Sequence, residues 1–168
     1  MNKPLRIGIM TVSDRSSRGE RPDLSGPALV SEIQSLGWHV DRTGLLPDER
    51  SLLEAELVRW AVEDALDVIL TTGGTGFSPR DVTPEATLAV VDRLAPGLAE
   101  AMRAASLILT PHAMLSRAVV GICRSSLIVN LPGSPKAAVE NLRVIAPVLP
   151  HAVQLLRSDP HAEAGHTK

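Results

Sequence analysis

Asp67-Val68-Ile69-Leu70-Thr71-Thr72 runs directly into Gly73-Gly74-Thr75-Gly76, and the fold is decided at this junction. An apolar, β-branched run without polar alternation suits a strand covered on both faces, the environment of a parallel sheet between helical layers. The run ends on glycines, where such a strand hands over to a loop. On its amino-terminal side, residues 49–64 carry Leu52, Leu53, Leu57, Trp60 and Ala61 on one helical stripe, with Asp48 at the capping position. Residues 38–46 and 5–12 are further strand candidates. Between them residues 25–36 show helical spacing at Leu29, Ile33 and Leu36 and stop at Gly37.

On the carboxyl-terminal side, Thr83-Pro84 opens a helix with a capping hydroxyl and a proline at the first helical position. Residues 97–109 are helical in pattern, and 118–122 and 127–131 are strands separated by Arg124-Ser125-Ser126. Ser134-Pro135 repeats the cap and proline and starts a helix to Val144. Pro147 and Pro150 then break the pattern before residues 153–156. Strands alternating with amphipathic helices predict an α/β fold of three layers, with a doubly wound, mostly parallel sheet. The expected organisation is one domain over residues 1–157 and a flexible tail over 158–168, which is polar and lacks apolar periodicity.

The chain has 168 residues, a formal charge of −2, two Trp, one Phe and no Tyr. Scarce aromatics argue against serial base stacking, and the near-neutral charge argues against phosphate-backbone binding, so no nucleic acid partner is expected. The opening apolar run is too short to span a membrane and lacks a cleavage pattern, so no membrane association and a cytoplasmic location are expected. Cys123 is the only cysteine and has no nearby His, which favours a buried inert thiol over a nucleophile. His39, His112 and His151 show no metal-ligand spacing.

In doubly wound sheets ligands bind beyond the carboxyl ends of the strands. There stand Ser13-Asp14, Pro47-Asp48-Glu49, Gly73 to Gly76 and Asn130 to Ser134. The glycine loop offers positive-φ positions and main-chain N–H groups that can cradle an anion; a tight strand-to-helix turn is the plainer alternative. It ends in neither a Walker lysine nor a dinucleotide third glycine. Asp48 and Asp81 beside an anion site suggest Mg²⁺ on a nucleotide phosphate, whereas a helix cap for Asp48, or a cap or an Arg80 ion pair for Asp81, needs no ligand. Ser13 and Asp14 could equally close a turn. Pro132-Gly133-Ser134 looks like a second anion-binding helix start. Lys136 faces either a negative ligand or solvent, and Arg117 either clamps a phosphate or covers surface.

These segments match a known family. Val12-Ser13-Asp14, Pro47-Asp48-Glu49, the stretch from Thr71 to Thr87, Met114-Leu115-Ser116-Arg117 and Asn130 to Ser134 resemble the molybdopterin adenylyltransferases, including the G domain of gephyrin, over residues 5–157. The resemblance implies a homotrimer that uses Mg²⁺ and ATP to transfer AMP to the terminal phosphate of molybdopterin, releasing pyrophosphate. A non-catalytic molybdopterin-binding paralogue is the alternative. Asp48 and Asp81 take the place of the family's two essential aspartates, as catalytic and metal-binding residues. Gly73, Gly74, Thr75 and Gly76 look like its phosphate cradle, and Ser13, Asp14, Ser116, Pro132, Gly133 and Ser134 like the rest of the pocket. With no gephyrin-type second domain in the match, a separate molybdenum insertase is the implied downstream partner.

Overall fold

The computed structural model describes residues 4–158. Six strands form one sheet in the order β2-β1-β3-β6-β5-β4. They are β1 (Arg6–Val12), β2 (His39–Leu46), β3 (Val68–Thr72), β4 (Arg93–Leu94), β5 (Val120–Cys123) and β6 (Ser126–Leu131). The first four in the sheet run parallel. β5 pairs antiparallel with β6, and β4 antiparallel with β5.

Because neighbouring residues of a strand face opposite sides, β1, β3 and β6 each feed two cores, while the edge strand β2 leaves one face exposed. Ile7 and Ile9 of β1, Val68 and Leu70 of β3, and Val129 of β6 pack with Leu29 and Ile33 of α2 (Ser25–Ser35), Met102 of α5 (Pro96–Leu109), Leu142 of α6 (Pro135–Ile145) and Val153 of α7 (Leu149–Leu156). Met10, Val12, Ile69 and Ile128 pack on the other face with Leu53 and Leu57 of α3 (Arg50–Val58) and Ala86 of α4 (Thr83–Val90). This is the expected three-layer, doubly wound architecture. The chain leaves β1 outward to β2 and returns past it to β3, so a crevice opens at the carboxyl ends of β1 and β3.

The helix expected over 49–64 is α3 followed by a π turn, Arg59–Glu63. The wider turn seats Trp60, fully buried, across Gly8 and Gly44; a Cβ on Gly8 would lie 2.7 Å from the indole. β4 has no counterpart among the expected strands, since two residues carry no periodicity. The residues expected to separate the last strands shrink to a tight hairpin connection, with Arg124 at φ 56° and Ser126 already in β6. The tail expected from Ser158 lies, past that residue, outside the described residues. No helix among the described residues is long and apolar enough to cross a membrane.

Candidate active site

Three loops meet over the β1–β3 crevice. After β1, the Ser13 hydroxyl accepts from Ser16 N at 3.2 Å and caps a short helix, α1 (Asp14–Ser17), which no sequence pattern announces. Asp14 and Asp48 then lock the ends of β1 and β2 together reciprocally. Asp48 Oδ2 accepts from Asp14 N at 2.9 Å, and Asp14 Oδ1 accepts from Asp48 N at 3.0 Å. Asp48 therefore does not cap α3; Glu49 holds that position, without a side-chain cap bond. Arg80 reaches across the loops to Asp14 at 2.9 and 3.0 Å and to Glu49 at 2.8 Å.

The electrostatics of the two acids diverge. The Arg80 guanidinium holds the Asp14 carboxyl below the usual range. Burial pushes Asp48 above it, and the charges of Asp14 and Asp81 add to that shift.

The glycine loop is braced from below. Gly73, at φ +105°, donates to Leu131 O at 3.2 Å and passes so close to β1 that a Cβ would stand 2.2 Å from Val12 O. Gly74, at φ +65°, leaves 2.9 Å between such a Cβ and Asp48 Oδ1. Only glycine fits either place without moving main chain or the site.

Thr83 was expected to cap α4 but does not: its hydroxyl donates to Gly73 O at 2.9 Å, ten residues back. Asp81 makes no ion pair with Arg80; its Oδ2 accepts from Ser78 N at 3.0 Å and closes a turn. Arg117 is neither a free phosphate clamp nor a surface cover. It donates to Gly76 O at 2.7 Å and Asp81 O at 2.8 Å and pairs with Glu85, so it pins the loop.

With the carbonyls so engaged, the donors are left open. The N–H groups of Gly74, Thr75, Gly76, Gly133 and Ser134 have no acceptor among the described residues. Main-chain donors gathered at one rim are able to hold an anion, and the start of α6, capped by Ser134 and led by Pro135, adds its dipole.

Two cavities of about 430 Å³ each flank this rim. The first is lined by Ser13, Asp48, Gly73, Ser134 and the loop Arg21 to Ser25. The second is lined by Thr75, Gly76, Ser116 and Pro132, with Arg103 and Ser106 of α5 and Asn141, which the sequence did not single out, and His112, for which it offered only a structural role. Gly74, Asp81 and Gly133 line both, so the cavities adjoin at one seam. Asp14 lines neither and meets the first cavity only through its hydrogen bonds with Asp48.

Lys136 is solvent-facing, 86% exposed beside Glu140, and Phe77 is exposed and outside both cavities. Asn130 is an internal brace, donating to Thr71 and Thr87 hydroxyls while accepting from Val119 N. Cys123 is buried, and burial pushes its thiol up, which keeps it unreactive.

Among the described residues no group of three or more His, Cys, Asp or Glu could enclose a metal. The carboxylate pair does fit Mg²⁺ shared with a phosphate: Asp48 Oδ1 and Asp81 Oδ1 accept no hydrogen bond among the described residues, and Mg²⁺ typically takes one or two carboxylates plus substrate oxygens.

Fold and site together define a class: an α/β domain with a glycine loop of open main-chain donors and a carboxylate pair on the carboxyl rim of its sheet. A family model described as a probable molybdopterin binding domain matches residues 8–151, and the chain belongs to that family. The molybdopterin adenylyltransferase of Helicobacter pylori strain J99 is 43% identical over 157 residues, covering 90% of this chain and 88% of that protein. The gephyrin of Dictyostelium discoideum is 43% identical over 164 residues, and the chain spans 23% of that longer protein. Among solved structures, the molybdopterin biosynthesis enzyme MoaB of Thermus thermophilus has a TM-score of 0.87 at 49% identity, covering 93% of this chain and 98% of that one.

Proposed function

We propose that the chain is a molybdopterin adenylyltransferase, joining AMP from Mg²⁺-bound ATP to the terminal phosphate of molybdopterin in molybdenum cofactor biosynthesis. The observation that carries this is the seam: two adjoining cavities that share Gly74, Asp81 and Gly133. The polar first cavity suits the triphosphate. The second, with Ala113, Leu115 and Ala137 in its wall, suits a flat heterocycle held by aliphatic side chains and amide edges.

A phosphate monoester is largely dianionic near neutrality, with a second pKa of about 6, so its oxygen attacks the α-phosphorus without a strong protein base. The new P–O bond forms as the bond to the β-phosphate oxygen breaks, and pyrophosphate leaves with that electron pair. Catalysis then rests on alignment and charge neutralisation. The unpaired N–H groups of Gly74, at the seam, and of Thr75 and Gly76, beside it in the second cavity, would stabilise the charge that spreads over the phosphoryl oxygens. Asp48 and Asp81 would hold the Mg²⁺, which when bound offsets triphosphate charge and orients the leaving group. The reading includes a homotrimeric assembly and transfer of the product to a molybdenum insertase.

Incubation with molybdopterin, ATP and Mg²⁺ should yield adenylylated pterin and one pyrophosphate per product. Tight pterin binding with no pyrophosphate would instead mark a non-catalytic binder.

A further inference from the structure

A triphosphate carries about four negative charges near neutrality. The first cavity already holds Asp23, Asp48 and Asp81. Asp23 is used up by the fold. Its Oδ2 accepts from Thr11 at 2.7 Å, and its Oδ1 accepts from Gly26 N at 3.0 Å and from Ser25, at the start of α2. Asp48 and Asp81 are the acids left for a cation, and the phosphates beyond that cation need a further positive partner.

Most arginines near the rim are already committed. Arg80 is held by Asp14 and Glu49, and Arg117 by two carbonyls and Glu85. Arg103 gives Nε and Nη2 to the carbonyls of Ser116 and Ala118. Lys136 lines neither cavity.

Arg21 differs from all of these. It is the only basic residue lining the first cavity among the described residues, and it makes no ion pair there. Its one hydrogen bond runs from Nη2 to Ser13 Oγ at a long 3.3 Å. A guanidinium carries five N–H donors, so most of its capacity stays open beside the crevice. The Ser13 contact holds it at the end of β1, on the cavity that also contains Asp48 and the Ser134 helix start.

We infer that Arg21 is the cationic contact for the β- and γ-phosphates of the nucleotide, and hence for the departing pyrophosphate. The inference rests on the adenylyl-transfer reading and adds a residue and a direction to it. The nucleotide lies with its polyphosphate end toward the loop of Arg21 to Ser25 and its α-phosphorus toward the seam at Gly74 and Asp81.

Calorimetric titration of the full chain with ATP, pyrophosphate and AMP in Mg²⁺ tests it. Arg21→Gln should weaken ATP and pyrophosphate by on the order of 10- to 100-fold, the usual value of a hydrogen bond to a charged group, and leave AMP within about twofold. In turnover the KM for ATP should rise more than kcat falls. Arg21→Lys should restore part of the ATP affinity, since a point charge replaces the fork. Equal losses for ATP and AMP, or a lower melting temperature accompanying them, would show that Arg21 only braces Ser13 and overturn the inference. Unchanged ATP affinity in Arg21→Gln would overturn it while leaving the adenylyl-transfer reading intact. Wild-type protein that binds neither ATP nor pyrophosphate would overturn both.

Discussion

Asp67 and Asp48 stand at opposite ends of the same sheet, and their surroundings could hardly differ more. Asp67, just before β3, is surrounded by donors: Arg6 N at 2.7 Å, Arg157 Nε at 2.8 Å, and a second Arg157 nitrogen. Asp48, just after β2, accepts one backbone N–H, keeps one oxygen open, and lies among other carboxylates. The amino-terminal rim closes its charges internally and joins the start of the chain to α7. The carboxyl-terminal rim leaves donors and acceptors unspent, an arrangement a fold tolerates only where something else completes it.

The contrast between the rims breaks most sharply at Asp81. Asp81→Asn keeps an oxygen for Ser78 N but loses the charge, and adenylyl transfer should fall by about 10²- to 10³-fold, the scale of losing one preorganised charge-stabilising group. Pyrophosphate release measures this, and the melting temperature should hardly move.

At the opposite rim the expectation reverses. Asp67→Asn strands Arg157 beside a neutral amide and should cost about 3 kcal/mol in denaturant unfolding, as breaking a buried pair does. Below its unfolding midpoint that variant should still turn over at the wild-type rate. Impaired catalysis in the folded variant would show that the two rims are coupled.

The smallest effect is expected at Asp48, and its sign is the informative part. Its pKa is raised in the folded state, chiefly by burial, so between the unfolded and folded values the native protein binds more protons. The Asp48 contribution therefore falls as pH rises through that window and is unfavourable above it. Asp48→Asn should thus leave the protein slightly more stable at pH 7 and lose this advantage on acidification, as denaturant unfolding at the two pH values would show. Asp14 runs the other way: its lowered pKa contributes stability above the unfolded value that is lost as pH falls through the folded one. Equal or lower stability of Asp48→Asn at pH 7 would contradict the picture of a strained acid.

The parallel strands, the glycine loop and the start of α6 are legible in the chain because each is written locally. Val68 to Leu70 is apolar on both faces, Ser134-Pro135 is a cap with a proline behind it, and consecutive glycines need no distant partner to be noticed. The features that escape a local reading depend on contacts between residues far apart. Thr83 looks like a cap until Gly73 O is found above it, and Arg117 looks free until the fold brings Gly76, Asp81 and Glu85 around it. The second cavity joins α5, α6 and the 110–116 segment, which no spacing rule connects. Arg21 draws no notice in the sequence because arginines are ordinary in a polar segment such as Arg15 to Asp23; it stands out only once Arg80, Arg103 and Arg117 are seen to be occupied.

On the proposed function, the N–H groups of Gly74, Thr75, Gly76, Gly133 and Ser134 do the recognising, without a side chain among them. A recognition surface made of main chain is invisible to alanine scanning, since the Thr75 and Ser134 amides survive side-chain truncation and the glycines can only be obstructed. Sequence drift at many neighbouring positions would leave that surface in place. On the adenylyl-transfer reading, hydrogen exchange at those amides should slow, residue by residue, when ATP and Mg²⁺ are added, and an unchanged exchange pattern would place the phosphates elsewhere.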